Sequence, residues 1–478
     1  MPDYDWKPIE RISNADRKVE QGAIGSLYES WRTAKERLKQ SSGAQLADFN
    51  NRLIRRLSVE TGILERLYDL DRGTTEALVA NGFLEDLVSH TSTNIEPGRL
   101  IDILRDHEAA VQLVIDCVAH SRPLTKGLMH ELQSVLTRHQ DSTTAIDGLG
   151  RRFEIPLSKG KFKDQPNNPK RPDGTVHGYC PPIHVDAEVD NLLAWLAEYS
   201  SEDPVLVAAW LHHRFTQIHP YQDGNGRVAR ALTTLVLLRA DLLPLVVDRA
   251  LRGDYITALE SADRSDLGPL VAMFSCLERN AILQALSVDY QPRGRGLSAV
   301  IDAVNSKLAT RDSAELTELR RVNSVAEQLK IRAESFVTRT FEEIEPALRR
   351  VGAPTLEVAR DAVSAQAAEL YKEEVRRSTS NAGRFANYSE AYYFLSGLIQ
   401  VNAVDMKFIL SFHHIGRETT GVMEAAAFSQ LPSGRFHPCS TESFVFTHRS
   451  QLPGLEAPFA TWLREALEVA IDEFIDRL

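Results

Sequence analysis

The sequence predicts a mainly α fold: a helical core interrupted by one β-hairpin flap, a helical region before it and a small α+β module after it. Three observations carry this. Apolar residues recur at three- and four-residue steps over most of the chain, the period of an amphipathic helix. Residues 160–182 are too rich in proline, glycine and asparagine for a helix. Short β-type runs then enter only near the end. A chain of 478 residues with 43% hydrophobic side chains can bury a large core and divide into two or three domains. The expected boundaries are 1–121, 122–281 and 297–478.

In chain order, residues 44–70, 74–87 and 98–120 read as helices, with turns at Gly73 and at 94–98. Leu53, Ile54, Leu57, Leu64 and Leu67 fall on related faces of the first. Residues 122–281 make the helical core. Within it, Gly160-Lys161-Phe162-Lys163, Gln165-Pro166-Asn167-Asn168 and 174–182 favour an extended hairpin with turns. Asp203 is placed to cap a helix with Pro204 at its first position and Val205, Leu206, Val207, Trp210, Leu211 and Phe215 along it. Val228, Leu232, Leu235 and Val236 define a second helix starting near Asn225 or Gly226. Residues 291–296, Gln-Pro-Arg-Gly-Arg-Gly, read as a linker. Beyond them Leu316, Leu319, Val322, Val325 and Leu329 mark an amphipathic helix over 313–350 that could pair with a partner helix. Residues 406–412 and 443–447 suggest short strands, and 457–478 a closing helix. Docking a target, homo-oligomerisation and capping of the core are all open roles for this last module.

The densest chemistry lies between the two core helices, in His219-Pro220-Tyr221-Gln222-Asp223-Gly224-Asn225-Gly226-Arg227-Val228-Ala229-Arg230. Gly224 and Gly226 permit positive φ and close backbone approach, and the free amides of the following helix turn form a nest with the positive end of the helix dipole behind it. Such a nest binds anions. Arg227 and Arg230, three apart, can add bidentate contacts to phosphate oxygens, and Asp223 could hold Mg2+. His219 is the side chain there able to take a proton near neutral pH.

The whole string resembles the signature of the Fic (Fido) family, His-Pro-Phe-x-[Asp/Glu]-Gly-Asn-Gly-Arg-x-x-Arg, and departs from it only at Tyr221, which keeps the aromatic ring and adds a hydroxyl. Residues 124–136 resemble the first helix of the Fido core. The stretch from Gly160 to Pro182 resembles the family's flap and Pro-Pro segment, with Lys161, Phe162 and Lys163 in the part that pairs with the backbone of a target protein. The similarity fades after about Ala281. The resemblance implies transfer of a nucleoside monophosphate, most often AMP from ATP, onto a serine, threonine or tyrosine hydroxyl of a protein. It implies His219 as general base and Asp223 as the magnesium holder. Gly224, Asn225 and Gly226 would cradle the α-phosphate, Arg227 the outer phosphates and Arg230 the γ-phosphate.

Many members of the family carry an inhibitory helix with [Ser/Thr]-x-x-x-Glu-[Gly/Asn], whose glutamate pairs with the second arginine of the signature. Thr61-Gly62-Ile63-Leu64-Glu65 and Ser92-Thr93-Asn94-Ile95-Glu96 both have the spacing. The second runs into Pro97-Gly98, a helix-start signal, so Glu65 is the favoured inhibitory residue. Arg66 stands where glycine or asparagine is expected.

Composition bounds the rest. The 55 basic and 66 acidic side chains leave a net charge of −11, which argues against a general nucleic-acid binder. Four scattered cysteines without a Cys-x-x-Cys pair fit reduced thiols in a cytoplasm. No stretch has the length of a membrane span and the start lacks a signal-peptide pattern. His212-His213 share no ligand spacing with a further donor, so no zinc site is expected there. His413-His414, beside Arg417 and Glu418, read as part-exposed residues at a strand end. Two alternatives to adenylyl transfer stand. One is another chemistry on the same scaffold: a different nucleotide, phosphocholine or phosphoryl transfer, or removal of AMP. The other is a non-catalytic adaptor that senses ATP.

Overall fold

The computed structural model describes residues 5–18, 24–146, 152–169, 174–288, 313–360, 365–416, 420–431 and 434–478. The segment read as a linker, 291–296, lies outside them. Contacts group Met1–Gln21 with Ala47–Ala281 in one compact unit, and Gly22–Leu46 with Ile282–Leu478 in a second. The N-terminal residues thus make no unit of their own, because the long helix α1 (Ile24–Leu64) supplies residues to both. No described helix is long and apolar enough to cross a membrane.

The first unit continues with α2 (Arg72–Asn81), α3 (Pro97–Ala119), α4 (Lys126–Leu136), a hairpin of β1 (Ser142–Ile146) and β2 (Arg152–Pro156), then α5 (Pro182–Glu198), α6 (Pro204–Ile218), α7 (Asn225–Arg239), α8 (Arg252–Asp263) and most of α9 (Gly268–Leu286). Helices α6 and α7 pack on one another, with α3 and α4 against α7 and α5 and α8 against α6. Asp203 caps α6 as its sequence predicts, one carboxylate oxygen accepting from the amides of Val205 and Leu206 at 2.8 and 3.1 Å. Trp210, Phe215, Val228, Leu232 and Leu235 are wholly buried. Both helices are enclosed by their neighbours and bury polar residues such as His212 and Thr233 along with the apolar ones; burying Phe215 alone contributes about 2 kcal/mol of transfer free energy. This rigid pair fixes the two ends of the loop from 219 to 224.

A hairpin that the sequence reading did not anticipate occupies Ser142–Pro156, with Thr143 opposite Ile155 and Thr144 opposite Glu154; both segments carry β-formers. Of the stretch read as an extended hairpin, residues 170–173 lie outside the described residues; its described flanks are mostly irregular, with Val176 and His177 in β-bridges and the His177 amide on the Pro169 carbonyl at 3.0 Å.

The second unit has the expected α+β character, with more strands than the two runs read from the sequence. Its sheet has seven strands among the described residues: β3 (Pro354–Arg360), β4 (Ala386–Asn387), β5 (Tyr393–Val401), β6 (Val404–Ile415), β7 (Val422–Gln430), β8 (Phe436–Pro438) and β9 (Phe444–Thr447). The main path runs β3-β5-β6-β7-β8, and every pair is antiparallel. Leu395, Phe408, Leu410, Phe412 and Ala425 point to one face, against α10 (Ser313–Leu348) and α12 (Leu452–Ile475). Phe394, Ile409 and Phe428 point to the other, against Tyr371 and Val375 of α11 (Ala365–Asn381). The amphipathic α10 therefore finds its apolar partner in the sheet and α12. Being covered on both sides, β6 is buried from Phe408 to Ile415. That corrects the reading of His413 and His414: neither is exposed, and they bond Glu424 at 3.0 Å and Asn323 at 2.9 Å.

Candidate active site

The loop starts where α6 ends. His219 sits at the helix C-cap in the left-handed region, φ 51° and ψ 59°, which turns the chain sharply out of the helix. Its Nδ1 lies 3.3 Å from the Thr216 carbonyl. A carbonyl only accepts, so Nδ1 carries the proton and Nε2 is left as the basic nitrogen. The residue is half-buried, and the Tyr179 ring stacks on one face of its imidazole. Burial, and after it the Lys163 cation, pull its pKa down to about 3, so the ring is neutral at physiological pH.

Asn225 ties the loop together: its Oδ1 accepts from the Tyr221 amide at 2.8 Å, and its Nδ2 donates to the Tyr221 carbonyl at 2.7 Å. Tyr221 is fully buried, and its extra hydroxyl is satisfied by Nδ1 of His130 at 3.0 Å. Gly224, at φ 86°, opens α7 in a conformation that glycine adopts without strain, and no side chain caps that helix start. The positive end of α7 therefore faces the loop with its first amides uncapped.

Asp223 beside it is highly organised. One oxygen accepts from Gln140 at 2.7 Å and Thr143 at 2.9 Å, the other from the Gly224 amide at 2.5 Å and Arg227 at 3.2 Å. Burial would raise its pKa, but the Arg227 charge and these hydrogen bonds outweigh it, and the net shift is downward. Arg227 is held by the Leu136 carbonyl at 3.0 Å and Gln140 at 2.6 Å. A cavity of about 430 Å³ opens onto both residues, its walls including Gln140, Thr143, Asp106 and apolar Leu67, Ile95 and Ile103.

The other arginine of the signature is occupied. Arg230, buried, donates an Nη hydrogen bond to Oε1 of Glu65, and its Nε is buried without an acceptor among the described residues. The Glu65 carboxylate also lies on Gly226, where any Cβ would overlap it. It thus stands as an anion at the start of α7. The rival, Glu96, is exposed at the head of α3 beside His90 at 3.9 Å. Only Glu65 reaches the signature.

Two features hold Glu65 there. Earlier on α1, buried Glu60 chelates Arg249, accepting from Nη2 at 2.7 Å, Nε at 3.1 Å and the Arg249 amide at 2.9 Å, while Arg249 also reaches the Leu70 carbonyl and Thr75. The helix then stops in a Schellman turn: the Leu67 amide bonds the Gly62 carbonyl at 3.0 Å and the Arg66 amide that of Ile63 at 3.0 Å. Arg66 occupies the left-handed position of that turn, φ 56°, where glycine and asparagine are the residues at ease. The family's usual choice at this position has that physical reason.

Of the flap residues, Lys161 is exposed, Phe162 packs on His130 and Tyr221, and Lys163 is buried, its amide on the Pro220 carbonyl at 2.8 Å and its Nζ on Asn167 at 2.8 Å. Burial lowers the Lys163 pKa to about 8. His212 and His213 are spent on Thr233, Tyr255 and Asp263. Sequence reasoning missed Gln140, Thr143, Glu60 and Arg249, none of which belongs to a local pattern, and reached Tyr179 only as part of the stretch 174–182. Only the Schellman turn after Glu65 could have hinted that this helix end needs an anchor.

The loop thus brings together an uncapped helix start, a neutral histidine at a helix end and, beside Asp223 and Arg227, an open cavity, on a mainly helical core. Residues 123–237 match the Fic/DOC family model, so this stretch of the chain is similar to Fic domains. It is 34% identical over 129 residues to a protein adenylyltransferase Fic of Drosophila willistoni, covering 26% of this chain and 24% of that protein. It is 32% identical over 124 residues to one of Nematostella vectensis, covering 25% and 29%. The chain thus spans about a quarter of the length of these curated relatives. Among solved structures, a Fic domain containing signaling protein from Bacteroides thetaiotaomicron aligns at 22% identity and a TM-score of 0.46, over 57% of this chain and all of that one.

Proposed function

We propose that the chain is a protein adenylyltransferase that moves AMP from ATP onto a serine, threonine or tyrosine hydroxyl of a target protein, with His219 as general base and Glu65 as a built-in inhibitor. One observation carries the reading: a glutamate carboxylate stands on the uncapped start of α7 and bonds Arg230, where a phosphate group would otherwise bind. In the forward step the acceptor hydroxyl gives its proton to Nε2 of His219 as its oxygen attacks the α-phosphorus. The bond to the bridging oxygen breaks in line, and pyrophosphate leaves with the electron pair. Positioning and charge neutralisation do most of the catalysis: the amides of Asn225 and Gly226 hold the α-phosphate region, and Arg227 and Arg230 the outer phosphates.

Asp223 fits a magnesium ion. It is ionised, part-exposed and set in the cavity wall, and a single protein carboxylate suits a cation that takes its other oxygens from phosphates and water. When bound, the ion supplies neutralisation of phosphate charge. A target docks beside exposed Lys161. The cysteines, none in a disulfide, go with a reducing cytoplasm.

Incubation with ATP labelled at the α- or the γ-phosphate tests the reading. Label from the α-phosphate is retained on protein, and His219→Ala lowers that transfer by about 10²–10⁴-fold with ATP binding largely kept. Retention of γ-label instead would show phosphoryl transfer, and binding without transfer an ATP-sensing adaptor.

A further inference from the structure

A residue outside the signature controls the proposed base, an inference that rests on the transfer reaction just described. Tyr179, in the loop before α5, lays its ring flat on the His219 imidazole: the centroids are 3.7 Å apart and the planes 6° from parallel. The edge of His177 meets the Tyr179 ring at 4.9 Å, and Lys163 Nζ stands 5.8 Å from its centroid. Lys163 is itself bound to the Pro220 carbonyl and to Asn167, which donates to the Tyr221 carbonyl at 2.9 Å. The stack is therefore bolted to the backbone that follows His219.

His219 needs such support. It lies past the last turn of α6, and one 3.3 Å hydrogen bond to Thr216 leaves the broad torsion of the ring poorly fixed. A flat neighbour in contact over a whole face removes that freedom, and it keeps water off the same face. We propose that Tyr179 is a positioning residue: its ring sets the plane of the His219 imidazole so that Nε2 meets the acceptor hydroxyl. The aromatic face performs this, not the hydroxyl, so phenylalanine should serve and an aliphatic side chain should not.

The test uses the full chain and α-labelled ATP. Absence of transfer by wild type and by Glu65→Gly alike counts against the adenylyltransferase reading itself, before Tyr179 is touched. With transfer established, Tyr179→Ala is expected to lower kcat by about tenfold to a hundredfold, the usual loss for a misplaced reacting group, with KM for ATP within about twofold. Tyr179→Phe should restore the rate. NMR of the His219 ring protons gives a readout independent of activity, an upfield ring-current shift in wild type and in Tyr179→Phe that is absent in Tyr179→Ala. Should the alanine variant not fold, Tyr179→Leu keeps the bulk without the flat face and takes its place. An unchanged or raised kcat in the aliphatic variant, equal losses for phenylalanine and alanine, or no ring-current shift in wild type would overturn the assignment.

Discussion

Two glutamates near the end of α1 each meet an arginine, and they are held in opposite ways. Glu60 is sealed, with three donors from Arg249 and its side chain 2% exposed. Glu65 has one guanidinium contact and is 26% exposed. A charge pair with several hydrogen bonds and no access to water is costly to break, whereas a single contact within reach of solvent can be exchanged for another anion. On the proposed reading the first pair is an anchor and the second a latch: the same helix would supply both the fixed end that aims the carboxylate and the weaker bond that a phosphate displaces.

The largest expected effect breaks the anchor. Glu60→Ala leaves the largely buried Arg249 guanidinium without its carboxylate and should cost about 3 kcal/mol, read from chemical unfolding. It should also raise basal transfer, since the latch loses its aim. A loss under about 1 kcal/mol would make the two pairs equivalent and remove the distinction.

Acid should weaken the surrounding frame. His107 and His212 are fully buried, and burial, then the charges of Arg227 and Arg230 respectively, bring each to about 3. Both are neutral when folded, but in the unfolded chain they take a proton near the ordinary value of about 6.5. The unfolded state thus binds more protons below that pH. Stability is full above about 6.5 and falls as pH drops toward 3. Unfolding midpoints measured across this range should decline; a midpoint that rises on acidification contradicts the buried neutral assignment.

The smallest effect sharpens the latch. Arg66→Gly places at the left-handed turn a residue that adopts it freely and should stabilise the protein by about 1 kcal/mol in thermal or chemical unfolding, while lowering basal transfer. Destabilisation by this change would mean that the Arg66 side chain contributes more than its backbone costs.

Much of this site was legible in the chain and some of it was not, for physical reasons. The cap at Asp203, the helix start near Asn225 and the position of His219 past a helix end follow from local rules about caps, glycine and periodicity. Glu65 was favoured over Glu96 for its helical pattern and for the helix-start or loop signal at Pro97-Gly98; in the structure Glu65 bonds Arg230, while Glu96 lies beside His90. Gln140 and Thr143 left no trace, because their partner Asp223 lies 83 and 80 residues away. Arg249 is equally silent, 189 residues from Glu60. The β5–β7 sheet was underestimated because strands covered on both faces lose the alternation that announces a half-buried strand. The β1–β2 hairpin went unread, although its threonine-rich first strand carries β-formers.

The central claim is that Glu65 is a displaceable stand-in for a phosphate at the seat formed by α7 and Arg230. Its most direct test is the rate at which α-label from ATP becomes attached to protein in wild type and in Glu65→Gly. The latch predicts a rise of about tenfold or more in the variant, roughly the removal of one charge-assisted bond that ATP must displace. An equal or lower rate in the variant, with wild type active, contradicts it.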